Sequence, residues 1–142
     1  MKKMNVIAAV ALCAAGIASA QTYPVKAVRI IVPYPAGGTS DILARLLSPK
    51  LNEVFGQPIV VDNRPGANGN IGADLVAKSA PDGHTMLLAD LGALTISPSI
   101  YKLPFDPVKD FAPVTMVTYS PHLLAVHPSV PVKTVKELVA LA

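Results

Sequence analysis

Residues 28–41 read VRIIVPYPAGGTSD, and this stretch decides the fold class. Val28-Arg-Ile-Ile-Val32 is a nearly continuous β-branched run, the pattern of a strand buried on both faces of a parallel sheet. Pro33-Tyr-Pro-Ala-Gly-Gly38 breaks it. Thr39 or Ser40 then caps a helix predicted through about Phe55, with Asp41 in its first turn and Gly56 as the residue that stops it. Ile42, Leu43, Leu46, Leu47, Leu51 and Val54 keep helical spacing. Pro49 falls inside the helix and is expected to kink it or split it in two.

The unit then repeats. A second strand is predicted at 59–61, followed by the loop Asn63-Arg-Pro-Gly-Ala-Asn-Gly-Asn70 and a helix over 71–79. Pro81-Asp-Gly83 is a turn, and 85–89 makes a third strand. Strands alternating with helices at this spacing give an α/β fold with a parallel sheet. Beyond Leu91 the pattern loosens and prolines thicken. Two further strands are expected at 114–117 and 123–126, and Thr134-Val-Lys-Glu137 reads as a capping box opening a last helix. The change of texture places a passage from one lobe toward another near 112–122.

The two ends carry their own message. Residues 1–20, MKKMNVIAAVALCAAGIASA, combine two lysines, a short apolar run and Ala18-Ser-Ala20 before Gln21, the anatomy of a cleaved signal peptide. The mature protein is expected to begin at Gln21 and to be periplasmic. The helix opened by Thr134 has barely two turns before Ala142, so the chain reads as incomplete. Of 12 basic residues, Lys2 and Lys3 leave with the signal, so the formal charge of +3 shrinks and leaves no footprint for nucleic acid. Cys13, the single cysteine, leaves too, and Leu12 before it is not the small residue a lipid-anchor site prefers. The mature chain therefore has neither disulfides nor thiol chemistry.

The segment best suited to a ligand is Ala36-Gly-Gly-Thr-Ser-Asp41. In an open parallel sheet, ligands bind beyond the carboxyl ends of the strands, where helix N-termini offer unpaired N–H groups and the positive end of the dipole. Gly37 and Gly38 permit close approach, and Thr39 and Ser40 add hydroxyls, a combination suited to a carboxylate or phosphate without a lysine. Asp41 disfavours a dense anion. It points instead to a carboxylate held partly through water, or to an amino acid whose amine meets Asp41. The alternative is a tight turn in which Ser40 and Asp41 only cap the helix. Gly66 and Ala67, after the second strand, face the same crevice. Arg64 is either an anion clamp or a loop-shaping partner of Asp62 or Asp41, and Asp90 is either a polar contact or a helix cap.

No catalytic set is legible. The loop is neither a G-x-G-x-x-G fingerprint nor a Walker loop, and no G-x-S-x-G elbow occurs. His84, His122 and His127 lack metal-ligand spacing, so no metal, no cofactor and no enzyme activity are expected.

The motifs Tyr23-Pro24, Ile30-Ile-Val-Pro33, Ala36-Gly-Gly38, Asp41, Ala44-Arg45, Val61-Asp-Asn-Arg-Pro-Gly-Ala67, Pro81-Asp-Gly83, Tyr101 and Lys109-Asp-Phe111 run in one order. In that order the chain resembles the N-terminal part of the Bug family, the TctC-like substrate-binding receptors of tripartite tricarboxylate transporters. The resemblance implies a two-lobed, periplasmic-binding-protein-like (type II-like) fold, with 21–112 as a partial N-terminal lobe and 113–142 as the crossover into an incomplete second lobe. It implies a monomer that closes on a tricarboxylate, a dicarboxylate, an acidic amino acid or an aromatic acid and then engages a membrane permease or a sensor kinase. The implied ligand-binding residues are Ala36, Gly37, Gly38, Thr39, Ser40, Asp41, Gly66, Ala67 and Asp90. The chain departs from the family in its length, less than half the usual, in His84 after Asp-Gly, and in Pro49. The rival expectations are a non-functional or regulatory truncated product that does not bind ligand by itself and, behind it, a carboxylate-acting enzyme.

Overall fold

Strand β1, Val28–Val32, lies between two parallel neighbours, β2 (Ile59–Asn63) and β3 (Thr85–Leu87), in the order β2-β1-β3. The computed structural model describes residues 23–121 and 123–142; the signal segment and His122 lie outside them. The register sets Val28 beside Ile59 and Val32 beside Asn63 on one edge, and Arg29 beside Thr85 on the other. Hydrogen-bonded on both edges, β1 is also buried on both faces, which is why it needed apolar residues at successive positions. Ile30 and Val32 pack with Ala44 of helix α1 (Thr39–Phe55), flanked by Leu51, Ile59 and Val61. Alternation sends Ile31, fully buried, to the opposite face. The same face carries Arg29, whose guanidinium meets Asp62 across the strand pair. Burial raises the Asp62 carboxyl, and Arg29 and Arg64 outweigh it, leaving the group below its ordinary value.

Helix α2 (Asn70–Ala77) follows β2 and lies against β1 and β3. Its Gly72 touches the chain just past β1: a Cβ there would stand 2.7 Å from Pro33 Cβ and 3.0 Å from the Arg64 carbonyl. This close approach fixes how far α2 sits from the sheet. After β3 the chain winds into a π-helical turn, Gly92–Ile96, continued by helix α3 (Ser97–Ile100).

The chain divides into two units at Ala112 and Pro113. In the second, helix α4 (Val135–Leu141) is capped by Thr134, whose hydroxyl accepts from the Glu137 N–H at 3.2 Å. The Glu137 carboxylate reaches back one residue further than a capping box requires, to the Lys133 N–H at 2.7 Å.

Several expectations need correction. Neither 114–117 nor 123–126 is a strand: both runs lack regular secondary structure and are solvent-exposed, with Val114 82% and Leu123 91% exposed. A strand exists only with a partner edge, and among the described residues neither run has one. Pro49 does not split α1, which continues through it as one 17-residue helix. Both Pro49 and Arg45, whose carbonyl loses its donor, lie on the exposed side, where water substitutes. The cap of α1 is Gly38, with Thr39 and Ser40 already helical. β2 runs two residues longer than expected and β3 two shorter, while α2 begins at Asn70 and ends at Ala77.

Substituting Gly72→Ala should cost about 1–3 kcal/mol, because the contacted atoms belong to backbone and a proline ring that cannot move aside. Urea unfolding of the full chain measures this; an unchanged midpoint would mean that α2 does not seat on Pro33.

Candidate functional site

Parallel pairing brings the carboxyl ends of β1, β2 and β3 to one edge, and the three loops that leave them are stitched together. The Arg64 N–H donates to the Val32 carbonyl at 2.8 Å, and Leu88 N–H to Ile31 at 2.9 Å, extending the ladders beyond the strands. Asn63 donates to the Tyr34 carbonyl at 3.1 Å and accepts from Arg45 at 3.2 Å. The Tyr34 hydroxyl donates to Asp90, whose same oxygen accepts the Gly92 N–H at 2.9 Å. Burial first and the Asp90 carboxylate second push the Tyr34 hydroxyl well above its ordinary pKa. Asn68 donates to the fully buried Ser97 hydroxyl at 3.2 Å.

The first loop is built around Asp41. Gly37 takes a left-handed φ of 87°, available to glycine at no steric cost, and turns its N–H onto the Asp41 carboxylate at 2.8 Å. Arg45, one helical turn on, holds both carboxylate oxygens at 3.0 Å. Asp41 is only 3% exposed. Arg45 chiefly, then the Gly37 N–H, hold its pKa down at about 2. Gly38 caps α1 without any side-chain acceptor, so the first-turn amides of Thr39, Ser40 and Asp41 have no intrahelical partner and no capping oxygen. The second loop ends the same way. Gly69 caps α2 with no side-chain acceptor, after a turn in which Gly66, Ala67, Asn68 and Gly69 all have positive φ. Holding the two non-glycine residues there costs of order 1–3 kcal/mol each. Two glycine-capped helix N-termini thus lie at one edge of the sheet, with the first-turn amides bare at α1, whereas at α2 the Asn70 N–H is taken by the Ala67 carbonyl.

Of the residues singled out from sequence, Ala36, Gly37, Gly38, Thr39, Gly66, Ala67 and Asp90 are exposed and Ser40 half-buried, while Asp41 turns inward. Arg64 pairs with Asp62 at 3.0 Å, not with Asp41. Asp90 accepts the Gly92 N–H two residues on and the Tyr34 hydroxyl, while the N-cap of the π-helical turn is Leu91. Sequence reasoning gave no role to Arg45, although its position four residues after Asp41 was a legible signal. It also missed Tyr34, Asn68 and Ser97, which meet only in three dimensions. Among the described residues, no three His, Cys, Asp or Glu side chains gather as a metal site, and no helix is long and apolar enough to cross a membrane.

The depressed pKa gives the loop a specific acid response. A carboxylate lowered from 3.8 to about 2 contributes stability that is complete above pH about 4 and lost as pH falls through about 2. The Gly37 amide shift should therefore titrate near 2 by nuclear magnetic resonance. An inflection near 3.8 would contradict the bond. Asp41→Asn should abolish that inflection and lower the melting temperature at pH 7.

The comparisons with known proteins concern the family and the fold. Residues 43–142 match the profile of the tripartite tricarboxylate transporter family receptor, TctC. Protein BugT of Bordetella pertussis is 40% identical over 148 aligned positions, covering 99% of this chain and 44% of BugT. Among solved structures, R. palustris Rpa4515 with adipate is 40% identical, with a TM-score of 0.70 over 84% of this chain and 40% of that one. MatC (Rpa3494) from Rhodopseudomonas palustris with bound malate is 41% identical, with a TM-score of 0.62 over 65% of this chain and 32% of that one. The chain spans about two-fifths of the length of the curated relatives it matches. With a family profile over most of its length and periplasmic solute-binding proteins as structural neighbours, the chain belongs to the tripartite tricarboxylate transporter receptor family, the TctC or Bug proteins.

Proposed function

We propose that this chain forms the carboxylate-gripping part of an exported solute receptor. The observation that carries the reading is the pair of glycine-capped helix N-termini at one sheet edge. Ser, Thr, Asp or Asn at a cap would supply the oxygen that first-turn amides need; glycine leaves those amides to a ligand oxygen. Within Ala36–Asp41, the main-chain N–H groups of Thr39, Ser40 and Asp41 and the hydroxyls of Thr39 and Ser40 are the contacts we assign. Ala36, Gly37 and Gly38 allow close approach, with the turn at Gly66 and Ala67 opposite and Asp90 at the rim. The Gly37 and Gly38 N–H groups are engaged by Asp41 and Pro35. Asp41 acts through the loop, since its carboxylate is engaged by Gly37 and Arg45. An amine on the ligand is correspondingly not required, which favours di- and tricarboxylates over amino acids. Two solved relatives, with adipate and with malate, carry dicarboxylates of different length, consistent with a grip on the carboxylate rather than on the chain between.

In this reading residues 1–20 direct export to the periplasm, 21–112 contribute the N-terminal lobe and 113–142 lead toward a second. The receptor works as a monomer without cofactor or catalysis, and delivers its ligand to a membrane permease or reports it to a sensor kinase.

Malate, adipate or citrate should raise the melting temperature of the full chain, a ligand at a hundred times its Kd adding about 2.7 kcal/mol. Gly38→Asp tests the mechanism. Its backbone, at φ −75°, accepts a side chain, so the new carboxylate caps α1 and gains a few tenths of a kcal/mol while occupying the ligand's amides. Carboxylate binding should then fall at least about tenfold without loss of stability. No thermal shift with any of the three acids would overturn the receptor reading in favour of a chain that binds nothing by itself.

A further inference from the structure

The turn between β2 and α2 holds more strain than a connection of its length needs. Gly66, Ala67, Asn68 and Gly69 have φ of 129°, 47°, 57° and 87°, a left-handed turn closed by Gly69 N–H on the Gly66 carbonyl at 3.0 Å and by Asn70 N–H on Ala67. At Asn70, with φ −65°, the hand reverses into α2. The Gly69 and Asn70 N–H groups are spent on these two bonds, so only the earlier amides of the turn face outward for a ligand on the receptor reading. Such a turn has to be held, because alanine gains nothing from that backbone and asparagine only tolerates it. It is also crowded: a Cβ on Gly69 would lie 3.2 Å from Ala93 Cβ and 3.3 Å from the Tyr34 hydroxyl, so the three loops touch at this glycine.

Asn68 carries the turn's only polar side chain, and it reaches across to Ser97, buried where the π-helical turn Gly92–Ile96 meets α3. We propose that Asn68 is a positioning residue: its amide, by donating to the Ser97 hydroxyl, sets the hand of the turn after β2 and ties it to the helix after β3. This rests on the receptor reading for its effect on ligand, though not for the tether itself. The ligand amides of the second loop are then oriented by a residue that never touches the ligand. Asparagine suits the task twice, since it tolerates left-handed backbone better than most residues and supplies the donor.

The test compares Asn68→Gly, Ser97→Ala and the double variant in the full chain. Asn68→Gly keeps the left-handed backbone accessible while removing the tether, but strands a buried hydroxyl. The double variant removes that hydroxyl as well, so stability should recover while the tether stays absent. By hydrogen exchange, the Gly69 and Asn70 amides should open at least about tenfold more often in all three variants, with the β1 amides Ile30 and Ile31 unchanged. Equal exchange to wild type would overturn the tether. Calorimetric Kd values for malate and adipate should rise about tenfold in Asn68→Gly and stay raised in the double variant. Recovery of affinity together with stability would overturn the positioning role and leave Asn68 purely structural. A wild-type chain that binds neither acid defeats the receptor reading and the ligand role with it, while the exchange rates still decide the tether.

Discussion

Strand β1 is buried on two faces and hydrogen-bonded along two edges, and every other part of the first unit takes its position from it. Ile30 and Val32 seat α1 on one side; on the other, the bare backbone at Gly72 lets α2 close onto Pro33, the residue that ends the strand. Because the neighbouring strands run parallel to β1, the loops that follow all three are delivered to the same edge. No loop could be placed there by its own sequence. The site is a by-product of satisfying one apolar strand on all sides.

What was legible in the sequence was what local chemistry determines. The β-branched run at Val28–Val32 and the helix stop at Gly56, with its left-handed φ of 64°, were readable because each depends on residues next to it. The family resemblance was readable because its motifs are many and ordered. Three features were out of reach for physical reasons. Thr39 and Ser40 are better caps than Gly38 by propensity, yet the loop's need for a left-handed Gly37 pushes the cap one residue earlier. Val114 and Leu123 carry strand-forming composition, but a strand is a property of two segments and only one is at hand. The links Tyr34 to Asp90 and Asn68 to Ser97 join residues 56 and 29 positions apart, separations at which no periodicity speaks.

Charge in the candidate site is arranged differently from the usual anion pocket. The nearest guanidiniums, Arg45 and Arg64, are each bound to an aspartate, so they stiffen loops. On the proposed reading the attraction for an anion falls to partial charges on the N–H groups at the start of α1, weaker singly than a lysine but fixed in direction. On the proposed reading that division reconciles Asp41 with a carboxylate ligand: it is neutralised from behind and faces inward.

The glycine caps have a consequence for how such a protein changes over generations. A side chain that grips a ligand is one codon away from losing it, whereas an amide hydrogen belongs to every residue except proline and survives most replacements around it. Recognition written into the main chain is therefore held constant by the fold itself. Meanwhile the exposed side chain of Ala36, on a loop that presents those amides, takes no part in the proposed grip. On the proposed receptor reading, one main-chain anchor for a carboxylate serves acids that differ in the rest of their structure.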